Sequence, residues 1–161
     1  MLKNITAPHN HQLCVDQAMN LARQLCRERN SRLTQIREQV LAIIWSSHKP
    51  VGAYAILDEL SQHNQRAPAP PTVYRALDFL LENNLVHRIA SLNAFVGCNA
   101  PSQHHEGHFL ICQGCNIAIE VEAPAINNAI TDAGSRLNFT VTHQCVEVAG
   151  YCNQCRKNTD D

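Results

Sequence analysis

The chain has 161 residues, of which 45% are hydrophobic and 17% charged, and its formal net charge is -1. This length suits one ordinary domain or two small ones, and no apolar run reaches the ~18 residues that a membrane span requires. Eight cysteines and nine histidines, without a secretion-signal pattern, favour metal binding in a reducing cytoplasm over a disulfide framework.

The charges divide unevenly along the chain. Residues 1–91 hold ten Lys and Arg against seven Asp and Glu, a balance of +3. Residues 92–161 hold three against seven, a balance of -4. A basic half beside an acidic half that is rich in metal ligands indicates two separate tasks, with nucleic acid as a candidate partner of the basic half.

Three amphipathic helices are predicted in the basic half. Apolar residues at helical spacing place them over about 12–29, from Thr34 to just before Lys49-Pro50, and over about 52–62. The first helix and the residues just beyond it carry a set of arginines, namely Arg23, Arg27, Arg29 and Arg32. Such a set usually forms a solvated face, but it could also contact phosphates.

Metal ligands also occur near the first helix. His9 and His11 lie in a polar lead-in, where a mobile tail is favoured over a metal site. Cys14 and Cys26 have no neighbour at ligand spacing, so they are interpreted as packing thiols.

A fourth helix follows Pro70-Pro71, and its pattern matches the recognition helix of a helix-turn-helix. Its inward stripe is formed by Val73, Ala76, Leu77 and Leu80. Thr72, Tyr74 and Arg75 lie in the first turn, mostly off that stripe. Recognition helices contact base edges with their N-terminal residues, and arginine suits guanine O6 and N7. From this pattern alone, an ordinary helical bundle with a polar surface fits about equally well.

The segments 85–91 and 94–98 are predicted to pair as a β-hairpin, which would make the unit a winged helix. If Leu92-Asn93 is a two-residue turn, His87 lies directly opposite Cys98. Opposed residues of an antiparallel pair have Cβ atoms about 4.5–5.5 Å apart on one face. An imidazole and a thiol placed in this way could share a metal ion, although each alone is more often structural.

Residues 99–107 are predicted to be a linker, and the remainder a small α/β unit. His104, His105 and His108 lie in or beside this linker, either as metal ligands or as a solvated histidine cluster. The predicted elements of the last part are strands over 109–112, 117–122 and 139–149 and a helix over about 124–136.

Two Cys-x-x-Cys pairs, Cys112/Cys115 and Cys152/Cys155, stand near predicted strand ends. Each spacing lets a tight turn present two sulfurs to one ion, and two such pairs predict a closed four-thiolate zinc site. The alternative is a redox-active pair, which requires one copy in a βαβ context.

The string from Pro70 to Glu82, the hinge histidines and the two cysteine pairs together resemble the ferric uptake regulator family. The form of that string, with His87 and Cys98 on the wing, is similar to the zinc uptake regulator branch. The resemblance implies an α+β chain: a winged helix-turn-helix DNA-binding domain over 1–98, a hinge over 99–107 and a zinc-containing dimerisation domain over 108–161. It implies a zinc-responsive repressor, a homodimer that binds palindromic operators of zinc-uptake genes when loaded with zinc. No enzymatic activity, membrane or small-molecule substrate is expected.

The resemblance also implies a role for individual residues. It places a structural zinc on Cys112, Cys115, Cys152 and Cys155. It places a regulatory zinc on His87, Cys98, His105 and Glu120, with His104 as the near alternative to His105. His108 and His143 stand where some relatives have a further metal site. The DNA-contacting positions implied are Tyr54, Thr72, Tyr74 and Arg75.

The chain departs from the family pattern at two places. Gln35 stands where a proline often follows the threonine, and Gly107 interrupts the commoner run of hinge histidines. A sensor of iron, manganese, nickel or peroxide in the same family is the alternative, although a cysteine at 98 favours zinc over hard cations.

Overall fold

A computed structural model describes residues 11–63, 67–103, 105 and 107–157. The chain divides into two compact units, and the boundary between His104 and His105 lies within the segment predicted as a hinge. Helices and sheets occur in both units, so the predicted α+β class is confirmed. Among the described residues, no helix combines the length and the apolar character that crossing a bilayer would need.

The N-terminal unit is built on four α-helices. Their bounds are α1 (His11–Glu28), α2 (Gln35–Trp45), α3 (Ala53–His63) and α4 (Pro70–Glu82). Each helix buries one apolar stripe in a shared core, as helical periodicity predicts. The most buried members of this core include Val40, Ile44, Ile56, Leu60, Leu77 and Leu80.

Helix α4 begins at its pair of prolines, as its sequence predicts, and it ends beside two asparagines. Two prolines occupy its first turn, where the missing N–H groups would have no helical partner. Asn84 ends it with a φ of 56°, in the left-handed region that asparagine tolerates. Phe79 is buried beside the predicted stripe, and the Arg37 guanidinium lies 3.6 Å from its ring centroid. The exposed residues near the start of the helix are not part of this core.

A three-stranded antiparallel sheet completes this unit. Its strands are β1 (Val51–Gly52), β2 (Val86–Ile89) and β3 (Ala94–Gly97), in the spatial order β1-β3-β2.

The predicted hairpin exists, but its predicted register is wrong. A 3₁₀ turn over Ala90–Leu92 and a left-handed Asn93 separate β2 from β3, so the loop has four residues instead of two. His87 therefore lies opposite Val96 rather than opposite Cys98. Cys98 follows two residues later, and its N–H donates to Leu85 O at 3.1 Å. Because side chains alternate with period two, this shift leaves His87 and Cys98 on the same face.

The C-terminal unit contains a second three-stranded sheet and two helices. The strands are β4 (His108–Cys112), β5 (Ala118–Val121) and β6 (Val146–Gly150), and the helices are α5 (Pro124–Arg136) and the one-turn α6 (Asn153–Arg156). The spatial order is β5-β4-β6, with β4 antiparallel to β5 and parallel to β6.

The last strand is shorter than the predicted 139–149, since β6 begins only at Val146. The preceding residues pack back on the end of α5 instead. Phe139 N–H donates to Gly134 O at 2.9 Å, and a Cβ added at Gly134 would lie 2.9 Å from Val141 Cγ2. The absence of a side chain at residue 134 therefore permits this close contact.

Candidate metal centres and nucleic-acid face

The two cysteine pairs meet at one edge of the C-terminal sheet. Cys112 ends β4, and its neighbour across the parallel ladder is Gly150 at the end of β6. Since parallel strands end at the same edge, the turn after β4 carries Cys115 to the place where Cys152 leaves β6. Helix α6 then returns Cys155 to the same point.

The sulfur positions fit a tetrahedral ion. All four Sγ atoms lie within 4.8 Å of one another, and Cys115 Sγ is 3.8 Å from Cys152 Sγ. Four Zn–S bonds of about 2.3 Å at tetrahedral angles place sulfurs about 3.8 Å apart. The four cysteines could therefore hold a zinc ion with no coordination position left for substrate, which is the form of a structural site.

The thiols of Cys112 and Cys155 differ in acidity. Backbone N–H groups, first that of Cys152 and then that of Cys115, lower the pKa of Cys112 to about 6. The Cys152 N–H lies 3.3 Å from Cys112 Sγ. Hydrogen bonds with the Cys152 and Cys112 sulfurs raise the pKa of Cys155 to about 12. The protein environment thus favours a thiolate at Cys112 over one at Cys155, and a bound cation favours the thiolate form of the sulfurs that ligate it.

Two residues of the loop that carries Cys112 and Cys115, one between the cysteines and one just after them, are required by the shape of this loop. A Cβ added at Gly114 would lie 2.8 Å from both Cβ and Sγ of Cys155. Asn116 adopts a left-handed φ of 59°, and its N–H closes the turn on Cys112 O at 2.9 Å. The Cys-x-x-Cys spacing alone did not single out either residue, although a glycine inside such a turn is itself a signal of close approach.

The N-terminal unit brings two of the predicted regulatory ligands together on its wing. The ligand atoms of His87 and Cys98 lie within 4.8 Å of each other. Cys98 is buried, with 2% of its surface exposed, and His87 is half-buried. An imidazole and a thiol at this separation can coordinate one cation.

The C-terminal unit brings the other two together. His105 Nε2 lies 2.6 Å from Glu120 Oε1, and these side chains are only 17% and 6% exposed. Glu120 belongs to β5 and lies opposite Phe109 of β4, close to where the chain enters the unit. His104, the predicted alternative to His105, lies outside the described residues.

The further metal positions are not brought together in the described part of the chain. His108 is 1% exposed and its Nε2 is hydrogen bonded to the Asn127 side-chain oxygen. His143 is exposed. Within the described ranges, neither belongs to a cluster of three or more potential ligands, so an additional site on them stays a prediction.

The predicted DNA-contacting side chains are solvent-exposed on two helix starts. Tyr54, in the first turn of α3, is 79% exposed. Thr72, Tyr74 and Arg75 are all exposed within the first two turns of α4, while Val73 beside them is fully buried. The buried stripe thus fixes the helix and presents a hydroxyl, a phenol and a guanidinium to solvent.

Two of the four arginines suggested as phosphate contacts are engaged within the protein. Arg23 makes two hydrogen bonds of 3.0 Å to the Glu38 carboxylate, which lowers the pKa of Glu38. Arg29 donates to Asn83 O at 2.5 Å and to Pro101 O at 2.8 Å.

Comparison with known proteins is consistent with this combination of sites. The model of the ferric uptake regulator family matches residues 28–149. The zinc uptake regulation protein of Escherichia coli strain K12 is 36% identical over 135 residues, which cover 83% of this chain and 78% of that protein.

Solved structures agree with the sequence comparison. A zinc uptake regulator complexed with zinc and DNA superimposes with a TM-score of 0.86 at 32% identity, covering 91% of this chain and 98% of that one. The crystal structure of holo XcZur gives a TM-score of 0.79 at 42% identity, with coverage of 86% and 96%. The predicted resemblance is confirmed, and the chain belongs to the ferric uptake regulator family.

Proposed function

We propose that this protein is a zinc-responsive transcriptional repressor whose zinc-loaded dimer binds palindromic operators of zinc-uptake genes. The observation that carries the proposal is the pairing of zinc-ligand types on both sides of the unit boundary. His87 and Cys98 are adjacent in the N-terminal unit, and His105 and Glu120 are adjacent in the C-terminal unit. Similarity to zinc uptake regulators supports the same function.

These two pairs form the regulatory site of the proposal. His87 and Cys98 hold the ion from the wing, and His105 and Glu120 hold it from the C-terminal unit. Zinc supplies a four-coordinate link without redox chemistry. The Cys98 thiolate selects against magnesium, calcium and manganese, which prefer oxygen ligands, so zinc is a better match than those ions. The four-sulfur site holds the second, structural zinc.

The link restricts the orientations that the DNA-binding units of a dimer adopt. Tyr54, Thr72, Tyr74 and Arg75 then reach two half-sites about one helical turn, or roughly 34–36 Å, apart. Moving a two-state equilibrium from 1:99 to 99:1 requires about 5.5 kcal/mol of differential binding. Structural zinc sites in small modules have apparent binding free energies of roughly 10–16 kcal/mol, so a mixed zinc site is strong enough for this shift.

The proposal places the protein in the cytoplasm and assigns it no enzymatic activity. The eight cysteines, all of which lie within the described residues, form no disulfide bonds with one another, which fits a reducing compartment. A catalytic zinc needs an open coordination position and a nearby base, whereas the cysteine cluster offers four sulfur ligands.

The test is DNA binding at fixed salt with defined free zinc. Duplexes are first selected from a random pool with zinc-loaded protein, and the enriched sequence is then titrated with and without a mild chelator. We expect a palindromic site that binds only with zinc, and Cys98→Ser should lose this response. Cys145→Ser, which changes an exposed cysteine outside both sites, is the matched control. Equal binding with and without zinc would refute the proposed switch.

A further inference from the structure

A third cluster of metal-ligand side chains lies in the N-terminal unit, formed by His11, Cys14 and His48. One ligand atom from each residue lies within 4.8 Å of the other two. His11 and Cys14 stand three residues apart in the first turn of α1, so they share one helix face. His48 lies in the turn after α2, and its ring centroid is 4.6 Å from that of His11. All three side chains are half-buried.

The hydrogen bond of His11 determines which of its two ring nitrogens is available to bind a metal ion. Its Nε2 lies 2.8 Å from Trp45 O. A carbonyl oxygen only accepts, so Nε2 carries the proton and donates it, and the lone pair of the neutral ring is on Nδ1. Metal-bound histidines characteristically donate their other ring N–H to a carbonyl or carboxylate, which fixes the tautomer and orients the ring. His11 therefore has the second interaction that a metal ligand needs.

We propose that His11, Cys14 and His48 form a further metal site, which binds a borderline divalent cation such as zinc with solvent as the fourth ligand. Two imidazoles and one thiolate suit zinc and copper better than hard, oxygen-preferring cations. The site is separate from both zinc sites described above, since all three ligands come from α1 and the turn after α2. A metal ion bound there links the first turn of α1 to the turn after α2.

The cluster adjoins the wing through Trp45. The carbonyl of Trp45 accepts the His11 bond, and its indole occupies the space beside Gly97, where an added Cβ would lie 2.1 Å from Trp45 Cε2. Gly97 directly precedes Cys98. Trp45 is also the single tryptophan of the chain, so its fluorescence reports on this region alone.

The first experiment measures zinc per chain in the full-length protein after dialysis against buffered free zinc. Cys14→Ser and His48→Ala should each bind one zinc fewer than the unaltered protein. Cys145→Ser and His63→Ala are matched controls at exposed positions and should bind the same number. Retention of the four-cysteine zinc in each variant shows that the fold is intact. Equal zinc content in both site variants and the unaltered protein overturns the proposal.

The second experiment uses cobalt as a spectroscopic probe, in a Cys98→Ser background that removes the wing thiolate and with the four-cysteine site already filled with zinc. Cobalt should quench Trp45 fluorescence in step with a thiolate-to-cobalt charge-transfer band. His48→Ala should weaken this cobalt affinity at least about 10–100-fold, because even changes to the outer partners of metal ligands have effects of that size. Quenching that is unchanged by His48→Ala, even if Cys14→Ser fails to fold, contradicts the proposed ligand set.

Discussion

Replacing Gly114 with alanine tests whether the turn between Cys112 and Cys115 is shaped for its metal. The added Cβ would lie 2.8 Å from Cβ and Sγ of Cys155, whereas ordinary contacts begin near 3.4 Å. Cys155 must therefore move by about 0.6 Å, the difference between these two distances. Metal–ligand distances are expected within about 0.2 Å of their ideal values, so a displacement of this size strains the bond between the Cys155 sulfur and the zinc.

The expected effect is a weaker structural zinc site. Overpacking in well-packed regions costs about 1–3 kcal/mol, which corresponds to roughly 5- to 150-fold weaker zinc binding. The assay is competition for zinc with a chelator of known affinity, followed by thermal unfolding with and without zinc. Gly150→Ala is the matched control, because nothing lies within 4 Å of a Cβ added at that position. If Gly114→Ala holds zinc as tightly as Gly150→Ala does, the close approach to Cys155 is not what sets the affinity.

Three further predictions concern DNA, the regulatory site and pH. Arg75→Ala should lose about 1–3 kcal/mol of operator affinity and relax the sequence preference at one base pair, as fluorescence anisotropy on single-base variants would measure. Cys98→Ser should lower the zinc content by one ion per chain, measured by elemental analysis, and leave the four-cysteine zinc in place. The control Cys145→Ser should leave the zinc content unchanged. The protons released per structural zinc should increase by about one as pH falls through about 6, because Cys112 is a thiolate above that pKa and must lose a proton to zinc below it.

Each of these three predictions would be contradicted by a specific experimental result. A uniform loss of affinity across all DNA sequences would make Arg75 a phosphate contact rather than a base contact. Unchanged zinc content in Cys98→Ser would remove that sulfur from the regulatory site. For pH, the lowered Cys112 pKa stabilises the metal-free fold above its ordinary pKa of 9.0, and this stabilisation is lost as pH falls towards 6. A constant proton release in calorimetry with two buffers would contradict that linkage.

Helical periodicity predicted the N-terminal core because each helix there buries one side. The stripe of Val73, Ala76, Leu77 and Leu80 is buried as the spacing indicated. The start of α4 was equally predictable, since two adjacent prolines tolerate few other positions in a helix.

The wing register was not predictable because it depends on the geometry of the turn. Ala90–Leu92 forms a 3₁₀ turn closed by Asn93 N–H on Ala90 O at 3.2 Å, and no glycine or proline marks it. The short sequence was therefore interpreted as a two-residue loop. His87 and Cys98 still share a face because the error was an even number of residues.

The three candidate metal clusters differ in how visible they are in sequence. The four cysteines are recognisable as metal ligands in the sequence because they form two pairs with the same Cys-x-x-Cys spacing. The His11–Cys14 pair was not recognised as a pair of ligands in the sequence, because the two residues share a helix face only once α1 is known to begin at His11. His48 stands 34 residues after Cys14, and only the packing of α1 with α2 brings it near. Distant ligands of this kind require tertiary structure to be recognised.

The two hydrogen bonds of Arg29 bear on the thermodynamics of the proposed zinc switch. By holding the carbonyls of Asn83 and Pro101, this side chain anchors the segment that leaves the wing to the end of the recognition helix. Gln103 N–H continues the ordered path by donating to Ala100 O at 3.2 Å. Immobilising one backbone residue costs about 1–2 kcal/mol. Residues that are already ordered before zinc binds do not incur this cost on binding, so more of the zinc-binding free energy can shift the protein towards its DNA-binding conformation. Loss of the Arg29 hydrogen bonds would therefore reduce the zinc response of DNA binding, although no metal ligand and no base-contacting residue is changed.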